Sequence, residues 1–438
     1  MYNLKSLVII IPAFFACKNT VAVDLVEVYQ IAESSDPVYS QSLAAYEATL
    51  EAKPQARALL LPTVSLNART TSNDQNISTA TGTSPGEIQF NTHGYSLDIS
   101  QPVFHYDRYL SLQQADAQIQ QAQSELDAAQ QDLIIRVAER YFTALAAIDN
   151  LNFVQAEKVS LARQLEQAKQ RFDVGLIAIT DVQEAQAGYD QSVANEILAE
   201  NLINNTREAL REVSGIYFTD LASLGETMPL VTPQPDVIDE WTQISQEQNL
   251  QVIAAKSQLE IARQEIKIQQ SGHLPTLDIV ANKGYSSDGG RFGGAKIHST
   301  AIGLELNVPL FEGGLVNSRT REAHSLYNQA FQRLEEVYRA AQRQTREAYL
   351  GVISGISQVK ALAQSVISSE SALEATQAGF EVGTRTTVDV VASQRALLQT
   401  KRDYARARYD YILNTLRLKQ AAGTLAPDDL QEINTWLN

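Results

Sequence analysis

The chain has 438 residues, a formal net charge of −16 and 44% hydrophobic residues. That acidity argues against nucleic acid as a partner, because phosphate binding needs basic patches. With 21 Gly, 12 Pro and a single Cys, the composition excludes a disulfide scaffold and favours long helices.

Residues 1–22 read as a secretory signal peptide. Lys5 precedes an apolar stretch at 7–16, and Thr20 and Ala22 stand at the −3 and −1 positions of a cleavage site. Cleavage would remove Cys17 and take the charge from −16 to −18 through loss of Lys5 and Lys18. The other reading is a lipid anchor on Cys17, but "FFAC" places Phe where lipoprotein signals carry a small aliphatic residue.

After the leader the chain reads as two copies of one unit, 23–230 and 231–438. "LLPTVSLNA" (60–68) resembles "HLPTLDIVA" (273–281). "LDISQPVF" (97–104) resembles "LELNVPLF" (304–311). "ERYFTAL" (139–145) loosely matches "REAYLGV" (346–352), with offsets between 207 and 213 throughout. Each unit predicts helix, strand, loop, strand, long helix, turn, helix.

The strands show alternation. Val64, Leu66 and Ala68 alternate with Ser65, Asn67 and Arg69, and Tyr95, Leu97 and Ile99 with Ser96, Asp98 and Ser100. In the second unit Ile302, Leu304, Leu306 and Val308 alternate with Gly303, Glu305 and Asn307. Leu277, Ile279 and Ala281 make a weaker set, interrupted by Val280. Each segment approaches the length that crosses a bilayer as a tilted strand, about 9–11 residues. The polar linkers "SNDQNISTATGTSPGEIQFNTHG" (72–94) and "SSDGGRFGGAKIHS" (286–299) are expected to be exposed loops. An ordinary soluble hairpin would show the same alternation.

The helices weigh against that alternative. Residues 103–174 contain neither Gly nor Pro, so some 65–70 helical residues would span roughly 100 Å. Ile134, Ala138, Tyr141, Leu145 and Ile148 form a coiled-coil seam. Val390, Leu397, Tyr404, Tyr411 and Leu418 recur every seven residues, with Val391, Leu398, Ala405 and Ile412 beside them. Two adjacent stripes predict neighbours on both sides, as in a ring of helices. Four membrane-length strands cannot close a barrel alone, because unpaired edges are not tolerated in lipid and the smallest barrels have about eight strands. Three copies would supply twelve strands and twelve helical staves.

No catalytic constellation is present. His93, His105, His273, His298 and His324 lack metal-ligand spacing, and His93, His105 and His298 are expected beside strands or in loops. "EGGLVNS" (312–318) lies between a strand and a helix but lacks the Lys-Ser/Thr of a phosphate loop, so its glycines are read as a bend.

The most informative repeat is "RFDVGLIAITDV" (171–182) against "GFEVGTRTTVDV" (379–390). Gly175 and Gly383 would end helices in the left-handed conformation, flanked by Val174 and Val382. Thr180, and Thr386 or Thr387, are expected to cap the following helices. Arg385 faces Ile177 across the repeat. An unpaired Arg in a tight turn needs an acceptor, and Asp181 of the neighbouring hairpin is the best one. Asp389 opens the last long helix, where an acid suits the helix end. Three copies near one axis would repel and raise their carboxylate pKa values. Glu184 lies one turn beyond Asp181.

With "LVEVYQIA", "GHLPTLDI", "VPLFEGGLVNS", "VGLIAITDV" and "VGTRTTVDV" in this order, the chain resembles the TolC family of outer-membrane export channels over nearly all of its length after the leader. The resemblance implies an α+β membrane protein and not an enzyme. It would be a homotrimer with a twelve-stranded β-barrel in outer-membrane lipid, continuous with an α-helical barrel across the periplasm. It also implies docking to a periplasmic adaptor (membrane fusion) protein and an inner-membrane pump of RND, ABC or MFS type, with no cofactor. Drugs, small toxic compounds or proteins would leave through it. The two turns would form the gated entrance, with Arg385, Asp181 and Thr180 as the lock and Asp389 and Glu184 at the constriction. Gly175, Gly383, Val174 and Val382 would be tip residues that meet the adaptor. Two departures stand out: Phe380 replaces a tyrosine of the family motif, and Ala392 replaces a second acid. A periplasmic coiled-coil adaptor would share the helices but not the four alternating segments.

Overall fold

A computed structural model describes residues 22–77, 86–225, 227–289 and 294–437. The leader and Cys17 fall outside the described residues.

Helix α1 (Leu25–Ser35) starts where the Asp24 carboxylate accepts from Glu27 N at 2.7 Å. It stops at an Asp36-Pro37 elbow. Pro37 opens α2 (Pro37–Leu50), and Asp36 accepts from Tyr39 N at 2.7 Å. Pro54 cannot donate to the Leu50 carbonyl, so α2 breaks there and resumes as α3 (Ala52–Ala58). The second half follows the same plan: α6 (Ile238–Gln248), then α7 (Leu250–Gln270) capped by Asn249. Lys267 takes the place of Pro54 there, and α7 runs unbroken to a 3-10 turn at Ser271–His273.

Four strands follow these helices: β1 (Thr63–Ile77), β2 (Gly86–Phe104), β3 (Thr276–Asp288) and β4 (Ala295–Asn307). They form one antiparallel sheet in the order β1-β2-β3-β4, with β2 and β3 joining the halves. The strands are longer than the alternation implies, at 15, 19, 13 and 13 residues. Much of each expected loop is therefore ladder: Asn73 pairs with Phe90 and Asn76 with Glu87. Polar hairpin ends can pair beyond the hydrocarbon, where hydropathy gives no strand signal. His93 and His298 accordingly lie on strands, not in loops. In β2 the odd residues 91–99 are exposed and the even ones half-buried, so the sheet has a convex and a concave face.

From the sheet run α4 (Tyr106–Asp173, 68 residues) and α8 (Leu315–Glu381, 67 residues), each about 100 Å long. They turn back into α5 (Ile179–Ser214) and α9 (Thr387–Ala422). The strand-to-α8 bend uses Gly313 and Gly314 at φ 62° and 86°, as the sequence implies. Helix α8 contains a stretch apolar enough on average to cross a membrane. That stretch belongs to a helix about three times longer than a bilayer is thick.

The core lies where the returning helices end. Leu25, Val28, Ile134, Ala138, Tyr141, Ile412, Leu416 and Leu430 of α10 (Pro427–Asn434) pack there with at most 1% exposure. Tyr141 donates to the Ala222 carbonyl at 2.8 Å, and Tyr349, its counterpart at the 208-residue offset of the turns, donates to Asp236 at 3.1 Å. The heptad seam is buried here as expected. Toward the turns it thins: Tyr411 and Leu418 are buried, while Val390 is only half-buried.

Candidate functional site: the paired turns

Both turns close the same way. Gly175 N donates to Phe172 O at 2.8 Å and Leu176 N to Arg171 O at 2.8 Å. In the second copy Gly383 N donates to Phe380 O at 3.1 Å and Thr384 N to Gly379 O at 2.8 Å. This paired bonding needs a left-handed residue, and Gly175 and Gly383 supply it at φ 75° and 79°. Val174 and Val382, just before them, are 70% and 76% exposed.

The helix starts differ between copies. Thr386 caps α9: its hydroxyl accepts from Asp389 N at 3.3 Å, and the Asp389 carboxylate accepts from Thr386 N at 2.8 Å and from its hydroxyl at 2.9 Å. Helix α5 has half of that arrangement. Ala178 occupies the cap and offers no side-chain acceptor, while Asp181 accepts from Ala178 N at 3.2 Å. Thr180 is therefore not the cap of α5. It sits one residue inside the helix start, because the repeat places Ala178, not Thr180, opposite Thr386.

Within one chain the bonds at Asp389 favour its charged form. The Thr386 N–H and hydroxyl, with a smaller contribution from the Arg385 charge, hold its carboxyl below the ordinary value of 3.8. Repulsion between copies would act against this local pull.

Arg385, Asp181 and Glu184 are exposed, and no hydrogen bond or ion pair joins Arg385 to Asp181 among the described residues of one chain. The hairpins of one chain are tied by other groups. The Arg171 guanidinium lies 4.6 Å from the centre of the Phe380 ring. Gln164 donates to Thr387 O at 2.7 Å, Ser160 bonds Gln394, and Arg395 donates to Glu157 at 2.7 Å. These contacts join α4 to α8 and α9. Arg171 was legible in the sequence as the mismatch to Gly379. The polar contacts carry no motif.

This geometry, two long helical hairpins on an open four-stranded sheet, is that of a known group. The family model described as "Outer membrane efflux protein" matches residues 28–216 and 241–424. The chain belongs to this family. Outer membrane protein TolC of Vibrio cholerae is 40% identical over 422 residues, covering 95% of this chain and 94% of that protein. The alkaline protease secretion protein AprF of Pseudomonas aeruginosa is 26% identical, covering 94% and 87%. The solved outer-membrane channel CmeC of Campylobacter jejuni superposes with a TM-score of 0.79 at 15% identity, covering 94% of this chain and 90% of that one. The chain is thus an outer-membrane channel protein, and such relatives are exit ducts, not enzymes.

Proposed function

We propose that three copies of this chain close one twelve-stranded barrel, continuous with a tube of twelve helices that crosses the periplasm. The observation that carries this is the sheet with two free edges: β1 and β4 each pair on one side only, and all 13 residues of β4 are exposed. Lipid does not tolerate such edges, so adjoining copies must pair β4 with β1. The half-buried seam of α9 near the turns is explained by the same neighbours. Residues 23–230 and 231–438 are two diverged copies of one unit.

The assembled duct serves tripartite efflux and type I secretion, carrying drugs, small toxic compounds or proteins from an inner-membrane pump to the exterior. The exposed Val174 and Val382, beside Gly175 and Gly383, offer an apolar rim to the periplasmic adaptor. Arg385 locks to Asp181, beside Thr180, across adjacent hairpins. Asp389 lines the constriction, with Glu184 outside it. Native mass in detergent should correspond to three chains, and the same material should conduct in planar bilayers. A stable monomer that forms pores would overturn this assembly.

A further inference from the structure

In the half of the sheet nearer the helices the ladder keeps the acids to one face, and the convex acids Asp74 and Glu87 come only beyond the Lys296 row. Asp98, Asp278 and Glu305 share the concave face with Asn67 and Asn282, and Asp98 accepts from Asn67 at 2.9 Å and from Ser96 at 2.7 Å. The two lysines of the sheet lie on the convex face, in register with apolar side chains. Lys283 shares its row with Leu66, Leu97 and Thr300. The next row toward the hairpin ends is Ala68, Tyr95, Tyr285 and His298, and the row beyond holds Thr70, His93, Ser287 and Lys296. The rings are in contact: Tyr285 lies 5.5 Å from Tyr95, 4.9 Å from His298 and 6.4 Å from His93. An aromatic row thus stands between two cations about 13 Å apart along the strand.

A lysine below the aromatic row is costly on a lipid-facing surface unless its charge reaches an anion. Its long stem lets the ammonium rise past Tyr285 toward the headgroups. Neither Lys283 nor Lys296 pairs with an acid among the described residues. The convex positions of β1 in these three rows are Leu66, Ala68 and Thr70, none of them acidic, and the first convex carboxylate of β1, Asp74, lies two rows beyond Lys296 and accepts from Gln89 at 3.2 Å. The helices leave the opposite ends of the strands, which places the patch in the outward-facing leaflet. Phenol and imidazole groups supply further donors for phosphate oxygens.

We propose that Lys283, Lys296, His93, Tyr95, Tyr285 and His298 form a binding site for the phosphate groups of a phosphorylated glycolipid of the outer leaflet. The inference rests on the barrel reading above. Its test uses the whole chain reconstituted into vesicles, re-extracted in mild detergent and weighed by native mass spectrometry. The vesicles contain lipopolysaccharide, its dephosphorylated form, or phosphatidylglycerol alone. The wild type should retain the phosphorylated glycolipid, and Lys283→Met/Lys296→Met should retain about thirtyfold less, since each cation near an anionic lipid surface contributes comparably. Lys283→Arg/Lys296→Arg should retain it as the wild type does. Equal retention by the wild type and the Met pair would overturn the site. So would equal retention of the dephosphorylated lipid, equal retention of phosphatidylglycerol, or full displacement by millimolar inorganic phosphate. A chain that fails to enter vesicles at all would instead refute the barrel.

Discussion

The Asp36-Pro37 elbow offers a quantitative test, because the molecule carries its own control. Asp36 is 1% exposed and receives Arg136 through two parallel bonds of 2.9 Å. Its repeat mate is Asn249, which caps α7 through Val252 N at 3.1 Å and donates to Ala421 O at 3.0 Å. Counted back from the turns, at an offset of 208, the place of Arg136 is taken by Gln344, which lines the same polar recess as Asn249. One copy thus uses an ion pair where the other uses two amides. Arg136→Gln would leave a buried carboxylate with the Tyr39 N–H as its main partner. Stranding a buried charge costs about 3–5 kcal/mol, and because the Arg136 side chain is 32% exposed, about 2–3 kcal/mol is expected. Asn caps a helix as well as Asp does, so Asp36→Asn/Arg136→Gln should cost about 1 kcal/mol or less.

Unfolding of such an assembly is best followed as a rate. If the pair breaks on the way to the transition state, Arg136→Gln should speed loss of helical circular dichroism in detergent about 30- to 150-fold, and the double variant less than about fivefold. Acidity gives a second readout. Burial alone would raise the Asp36 pKa, but the Arg136 bonds, the Tyr39 N–H and the Arg136 charge together hold it below 3.8. A depressed folded-state pKa stabilises above the unfolded value and is lost as pH falls through the folded one. The wild type should therefore lose stability below about pH 4 more steeply than the double variant. A double variant as unstable as Arg136→Gln, or with the same acid profile as the wild type, would refute the reasoning.

Other expectations concern the turns. Arg171→Gln and Phe380→Leu should each speed proteolytic nicking of the α8–α9 turn by the loss of about 0.5–1 kcal/mol, and the double variant no further; additive effects would dismiss the contact. Arg385→Ser should raise single-channel conductance with the trimer intact, and unchanged conductance would remove Arg385 from the lock. Asp389→Asn should weaken block by multivalent cations from the periplasmic side, and Glu184→Gln slightly or not at all. The Thr386 bonds hold the Asp389 pKa down against repulsion between copies, so block should be lost as acid protonates Asp389. Thr386→Ala should move that loss to higher pH, and an unmoved profile would show that block does not report Asp389.

The long helices were legible because their signals are local. Absence of Gly and Pro over seventy residues and a heptad seam need no partner to be read. The turns were legible for the same reason, since a Gly at fixed distance from an Asp-Val pair dictates the backbone. Strand ends were not, because the polar residues of 72–76 pair only when Gly86 onward lies beside them. The cap of α5 was misplaced because Thr180 is a good capping residue by type, and only the repeat register shows Ala178 in that place. Gln164, Ser160 and Glu157 had no signal at all: polar residues on a long helix look solvated until the facing helix is positioned.

The difference between the two turns has a physical reading in these contacts. The copies trade an arginine: the first has Arg171 and Ile177 where the second has Gly379 and Arg385. The trade is coupled, since a Cβ at Gly379 would stand 2.8 Å from Arg385 Cγ. Gly379 makes room for the Arg385 stem to fold back over the helix end. A second arginine there would expel it. In the first copy Ile177 takes the place of Arg385, and position 171 carries the long side chain. That side chain reaches across to cover Phe380, the ring next to the vacated site. Each backbone turn thus keeps one cation, and the two cations serve different reaches. Arg171 is occupied within its own chain. Arg385 has no bonded partner among the described residues of its chain, so the lock proposed above joins it to the Asp181 of an adjoining copy. On this account Gly379→Ala should weaken the lock as Arg385→Ser does, although it removes no hydrogen-bonding group.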